Sequence, residues 1–311
     1  MDFARQRATC GDPERLADVE ARDRTLRIQP GSASWPAELR SIDAPPEALW
    51  LRGRTELLAT KPRVALVGSR SPSPYGEAQA RRFARVLAES GVVIVSGYAR
   101  GIDQAAHRAA LEAGGSTIAV LGNGVARPWP ECDLLARVLE RGLFVSEREP
   151  EEPPRPHHFP LRNRLISGLA QVVVVLEAAH ASGSLITARW AADQGREVFA
   201  LPGRVDHPMA RGCHRLLREG ARLVEDPEEI LAELGLSPAA CAPAGVATPA
   251  VDTPVLAELR GETLSADELS RRTRRPLTTV IVELVEAEMA GRVARTPGGL
   301  FRLLDRGEFS A

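Results

Sequence analysis

Lysine is nearly missing from this chain: of its 40 basic residues only Lys61 is lysine, and every other is arginine. GC-rich codon usage accounts for most of that bias. Any anion site built here must still use planar guanidinium forks, which grip phosphate with two bonds and stack on bases. An excess of charge is missing too. The formal net charge is -1, so the total does not speak for nucleic acid, and the distribution of charge has to. The four cysteines, Cys10, Cys132, Cys213 and Cys241, stand far apart with no CxxC pair. That argues against a zinc site or a disulfide framework and leaves reduced, incidental thiols. The opening MDFARQRATCGDPERLADVE lacks the apolar core of a signal peptide. No apolar run approaches the ~20 residues of a membrane helix, so a cytoplasmic protein without a membrane anchor is expected. Neither a Walker lysine loop nor a GxGxxG fingerprint is present, and no cofactor is expected.

What the chain does have is 311 residues, 44% of them hydrophobic, enough for one large domain and a small one. Residues 1–26 are polar and read as a short remnant. Residues 27–60 form an approach segment with Pro36, Pro45 and Pro46 that ends in ALWLRG. From Arg63 onward short apolar runs recur: RVALVG (63–68), VVIVSG (92–97), TIAVLG (117–122), LFVSE (143–147), VVVVLEA (172–178), REVFALPG (196–203) and ARLV (221–224). Runs without polar interruption fit strands covered on both faces. Between them lie stretches of helical period, at 75–90, 102–113, 134–141, 163–169, 184–194 and 213–219. Alternation at this spacing predicts an α/β fold with a doubly wound, mostly parallel sheet. Residues 237–253, SPAACAPAGVATPAVDT, are a linker. Residues 254–311 follow as a small module. Val255–Leu259 begins a helix, Leu264, Leu269, Val280, Leu284 and Val285 are spaced for two more, and GRVARTPGGLFRL is a hairpin turned by Pro297, Gly298 and Gly299. Helices followed by such a hairpin outline a winged helix.

Glycine closes strand after strand, at Gly68, Gly97, Gly122 and Gly203. Ligands of such sheets bind beyond the carboxyl ends of the strands, so these loops are the candidate site. GSRSPSPYG offers Gly68 for the turn, Ser69 as a hydroxyl and Arg70 as a fork. SGYARGIDQAAHRAAL adds Ser96, Gly97 and Arg100. Its Asp103 and His107, four residues apart, invite an acid–base reading; the favoured one is structural, with Asp103 capping the helix and His107 packing inside. HHFPLRNRLISGLA sets Phe159, Arg162, Asn163 and Arg164 together, the cation-beside-aromatic combination that holds phosphates and stacks a base. The histidine pair there has no ligand at metal spacing. SGSLITARW presents Gly183 and Ser184 amides at a helix start, with Thr187 facing the same way. Arg70, Arg100 and Arg164 are expected on one rim, a site for a polyanion more than for a reaction.

VALVGSRSPSPYG, SGYARGIDQAAHRAAL, TIAVLGNGV, FPLRNRLISGL, SGSLITARWAADQGREVFALPG and RGCHRLLREGARLV, in this order and spacing, resemble the DNA processing protein A family, also called Smf, over about Trp35 to Val224. The resemblance implies an extended Rossmann-like fold, a homodimer, single-stranded DNA as ligand, and loading of RecA recombinase onto it in natural transformation and recombination. It assigns the DNA contacts to Gly68, Ser69, Arg70, Ser96, Gly97, Arg100, Phe159, Arg162, Asn163, Arg164, Gly183 and Ser184, with Arg70 on phosphate and Phe159 stacking. Many members carry a lysine where this chain has Pro156, and Arg155 is its expected substitute. The family's N-terminal sterile-alpha-motif-like domain is expected to be mostly absent. The tail resembles the winged helix of some members. Segment 251–311 holds nine basic and ten acidic residues, and Glu283, Glu286 and Glu288 sit on its second helix, so protein contact or weak duplex binding is expected there. Two enzyme readings compete. A nucleoside monophosphate phosphoribohydrolase needs PGG-x-GT-x-x-E, which LPGRVDHP lacks. An NAD oxidoreductase needs the dinucleotide fingerprint and an acidic ribose ligand.

Overall fold

The uninterrupted apolar runs form the middle of one nine-stranded sheet in the computed structural model. It describes residues 24–236, 253–259, 262–289, 293–296 and 299–303. The strands are β1 Thr25–Ile28, β2 Leu49–Gly53, β3 Arg63–Gly68, β4 Val93–Ser96, β5 Thr117–Val120, β6 Leu143–Ser146, β7 Val172–Glu177, β8 Glu197–Ala200 and β9 Arg222–Leu223. They lie in the order β1-β2-β6-β5-β4-β3-β7-β8-β9. From β6 across to β9 every pair is parallel. The helices are α1 Pro74–Glu89, α2 Ile102–Glu112, α3 Leu135–Arg141, α4 His158–Leu169, α5 Ser184–Asp193, α6 Arg211–Arg218 and α7 Pro227–Glu233. Alternate residues of one strand feed opposite cores, as the two-residue period requires. Val64 and Leu66 pack with Phe83 and Leu87 of α1, and Ala106 and Ala110 of α2. Ala65 and Val67 pack with Leu165 and Leu169 of α4, and Ala188 and Ala191 of α5. The winding reverses at β3, which has β4 on one side and β7 on the other. Loops diverge there and leave a crevice.

Three features depart from the sequence reading. The approach segment, to which no element was assigned, contains strands: Leu49–Gly53 pairs antiparallel with β6 and with β1. Its alternation of inward Leu49 and Leu51 with half-buried Trp50 and Arg52 is a strand signal that is short and stands behind two prolines. Helix α4 starts at His158, five residues ahead of the expected Asn163. Pro160 is tolerated because it sits in the first turn, where no amide partner is lost. Helix α7 follows Asp226, whose amide donates to Glu229 (2.9 Å) with Pro227 in the first turn.

Contacts divide the chain into two units, residues 1–240 and 241–311. In the second, α8 Pro254–Glu258, α9 Ala266–Thr273 and α10 Leu277–Met289 accompany a three-stranded sheet in the order β10 (Thr263–Ser265), β12 (Leu300–Leu303), β11 (Val293–Thr296). Val255, Leu269, Val280, Leu284 and Phe301 are in its core. This is a winged helix, with two corrections: Leu264 belongs to β10 instead of a helix, and Val285 is 46% exposed. The turn residues Pro297 and Gly298, the linker up to Asp252 and residues 1–23 of the N-terminal remnant lie outside the described residues. Among the described residues no helix is long and apolar enough to cross a membrane.

Candidate nucleic-acid interface

The crevice at the switch point is built on backbone held in place by glycine. After β3, Ser69 donates its amide to Glu177 O at the end of β7 (2.7 Å), and Ile102 at the start of α2 donates to Ser69 O (3.1 Å). A Cβ on Gly68 would stand 2.7 Å from Ile102 Cγ1, so no side chain fits. Gly101 has φ +82° and its Cβ position lies 2.4 Å from Ser69 O and 2.8 Å from Arg70 C. The loop carrying Arg100 is thus pressed against the loop carrying Arg70, and both arginines are exposed. Beyond Arg70, α1 is capped by Ser73, which accepts from the Gly76 amide (3.1 Å) and donates to the buried Glu177 carboxylate (2.7 Å).

Helix α4 decides which predicted residues meet the crevice. Phe159, Arg162, Asn163 and Ile166 follow the i, i+3, i+4, i+7 pattern of one helical face, and all four line a cavity of about 710 Å³. Arg164 is two positions from Arg162, roughly 200° around the helix, and cannot share that face. Its guanidinium instead grips both oxygens of Glu147 (2.8 Å for one) and donates to Ala44 O (2.9 Å). The expectation that Arg164 offers its fork at the rim is therefore corrected: the fork is taken up inside the protein.

Arg162 reaches the cavity floor and is 5% exposed. Its fork donates to Gly97 O (2.6 Å) and Val120 O, the ends of β4 and β5. Burial, opposed by Asp103 nearby, pulls its pKa down to about 10. Asp103 does not cap its own helix as expected. It accepts from the Gly97 (3.1 Å) and Ala99 (3.3 Å) amides, tying the loop back to the strand end. Burial pushes its carboxyl above the usual range, and the guanidinium and amides pull the other way. A Cβ on Gly97 would sit 2.7 Å from both Arg162 Nη2 and Asp103 Oδ2. Ser96 is buried and donates to Leu66 O (2.6 Å). Ser96, Gly97 and Arg162 thus build the floor, and Ser96 and Gly97 do not line the cavity. His107 is fully buried, with Nδ1 2.6 Å from Thr117 Oγ1. The Thr117 hydroxyl gives its proton to Ile94 O, so the imidazole carries its proton on Nδ1, leaving Nε2 without a partner. Burial, aided by the Arg162 charge, pushes its pKa down to about 3.

The wall opposite is formed by α5. Asn163 Nδ2 donates to Gly183 O (3.2 Å), and Ser182 and Ser184 share a hydroxyl contact (2.7 Å). Gly183, Ser184 and Thr187 line the cavity, together with Gly68, Ser69 and Arg70 across from them. Asp103 is the one carboxylate among the lining residues. Arg155 is exposed beside Pro156, which lines the mouth. Phe159 lies over Gly122, whose Cβ position is 2.8 Å from its ring. Arg70 Cζ stands 5.6 Å from the ring centroid, a cation–π distance. Trp129, which the sequence reading did not single out, also lines the cavity; its ring centroid is 5.4 Å from that of Phe159. The available signal was an aromatic in the loop after the glycine-ended β5.

A family model described as DNA recombination-mediator protein A matches residues 27–235, and one described as DprA winged helix domain matches residues 237–299. Protein Smf of Escherichia coli (strain K12) is 44% identical over 290 residues, 89% of this chain and 77% of that protein. DNA processing protein DprA of Bacillus subtilis (strain 168) is 40% identical over 205 residues, 65% of this chain and 69% of that protein. Among solved structures, DNA processing protein A of Streptococcus pneumoniae superimposes with TM-score 0.65 at 40% identity, covering 72% of this chain and 78% of that one. DNA processing protein A of Helicobacter pylori, whose structure was solved for its single-stranded DNA binding mode, gives TM-score 0.62 at 31% identity, covering 68% and 95%.

Proposed function

The chain belongs to the DNA recombination-mediator protein A family, and from that premise we propose that it binds single-stranded DNA in the switch-point cavity and helps load RecA recombinase onto the strand. In this reading it works in the cytoplasm as a homodimer, in DNA uptake and recombination, without catalysis or cofactor. The observation that carries it is the composition of the cleft: an unpaired strand needs cationic forks for its backbone and flat apolar surface for its bases. Arg70 is exposed at the cavity wall, and Arg100 is exposed on the loop packed against it. Phe159, Ile166 and Ile186 supply apolar wall, and the start of α5 supplies amides and hydroxyls. Ser69, Asn163, Gly183 and Ser184 are the proposed polar contacts, with Arg155 at the mouth. The single lining carboxylate, Asp103, is held by two amides and stands beside Arg162. That supports a binding site over the nucleotide-cleaving alternative, which requires a free acid or base.

A salt series of oligonucleotide binding tests the reading. Log affinity should fall linearly with log salt, and Arg70→Ala should weaken binding and make the slope shallower by about 0.7, one phosphate contact. Unchanged affinity and slope in that variant would remove DNA from this cavity. Base release from nucleoside monophosphates would reinstate the enzyme.

A further inference from the structure

We propose that Trp129 is the principal base-stacking surface of the cleft, with Phe159 beneath it as support. This rests on the reading that a single strand occupies the cavity. Trp129 is 45% exposed at the cavity wall, whereas Trp35 is buried and Trp50 and Trp190 are half-buried. An exposed indole leaves a large apolar area in water unless a ligand covers it.

Phe159 is poorly placed to receive a base by itself. Gly122 lies against its ring, Arg70 stands over it, and Trp129 flanks it with ring planes inclined at 45°. The 5.4 Å between the two centroids cannot admit a base, which needs roughly 3.5 Å on each side. A base therefore lies on the outer face of Trp129, and Phe159 props that ring from behind.

The loop bearing Trp129 is tied down before any ligand arrives. Asn123 Nδ2 donates to Arg127 O (2.6 Å), and the Gly124 and Ala126 amides donate to Glu152 O and Pro150 O (2.9 Å each). Arg52 donates to Ala126 O (3.0 Å). A platform fixed in advance loses little entropy on binding. Stacking accepts any base, so this contact adds affinity without reading sequence.

The test is binding of oligo-dT and of an abasic oligonucleotide of the same length to the full chain and its variants. Trp129→Ala should bind oligo-dT about ten-fold more weakly, as loss of one stacking platform implies, with the salt slope unchanged because no phosphate contact is lost. Trp129→Phe should recover most of that loss, and the abasic strand should not distinguish Trp129→Ala from the native chain. Oligo-dT should quench the native tryptophan emission but not that of Trp129→Phe, a readout that stands even if the alanine variant misfolds. The proposal is overturned if Arg70→Ala is weakened while Trp129→Ala binds like the native chain, or if quenching persists in Trp129→Phe. If neither variant loses affinity, the cavity assignment itself falls.

Discussion

Arg63, Arg162 and Arg164 are buried, and each uses its fork to tie distant parts of the chain together. Arg63, 1% exposed, donates to Leu169 O (2.6 Å), Leu58 O and Glu38 (3.0 Å). Composition gives all three the same weight as Arg70; only their surroundings separate them. Arg164→Ala should therefore lower stability more than it alters DNA contact, because Glu147 is left as an uncompensated, largely buried charge. The cost is about 3 kcal/mol, a Tm fall on the order of 6–12 °C for a unit of this size, with the salt slope of DNA binding kept. Thermal melts beside the salt series would check both parts. His107 makes a pH prediction. Its folded pKa of about 3 lies below the ordinary 6.5, so between these values the unfolded chain holds a proton that the folded one does not. Its contribution is complete above pH 6.5 and is lost as pH falls, by at most about 1.4 kcal/mol per unit. Melts at pH 7 and 5 should show that loss, and His107→Gln should flatten it.

At the scale of elements, phase and backbone conformation decide the site. Reading 157–162 as a loop placed Arg162 and Arg164 side by side; once α4 begins at His158, the helical period puts them on different faces. Gly101 and Gly91 separate strain from site geometry, since both have positive φ, +82° and +81°. Gly101→Ala also drives a Cβ into the backbone of the Arg70 loop, whereas Gly91→Ala meets nothing within 4 Å. Each should lose about 1 kcal/mol or more of stability from strain, and only Gly101→Ala should also weaken oligonucleotide binding. In the winged helix, α10 exposes Leu277, Ile281, Val282 and Val285 beside Glu286. Three of the four arginines next to it are paired with acids, Arg271 with Glu268, Arg272 with Glu262 and Arg275 with Glu283, and Arg274 is exposed. These pairs reduce the positive charge that the described part of the cluster offers to duplex phosphate.

For the whole molecule the consequence is a division of labour. Removing residues 254–311 should leave single-strand affinity within about two-fold and its salt slope unchanged, since all proposed phosphate contacts lie before them. A drop of ten-fold or more would assign DNA contacts to the tail. The doubly wound class, the winged helix and a cavity beyond the strand ends were legible in the sequence, because uninterrupted Val-Ile-Leu runs and strand-ending glycines report local burial and local turns. Gly68, Ser69, Arg70, Phe159, Asn163, Gly183 and Ser184 do converge on one cavity. Strand β2, which lies between β1 and β6, was hidden by its brevity, and Trp129 by lying in a loop without periodicity. The sequence by itself determined where the chain turns, which segments are buried and which family motifs it carries, since these depend on neighbours within one turn or one strand. Only the tertiary structure decided which arginines remain free and which aromatic faces the cleft. Those depend on partners such as Glu147 for Arg164 and Gly97 for Arg162, which are distant in sequence and meet only when the sheet is assembled.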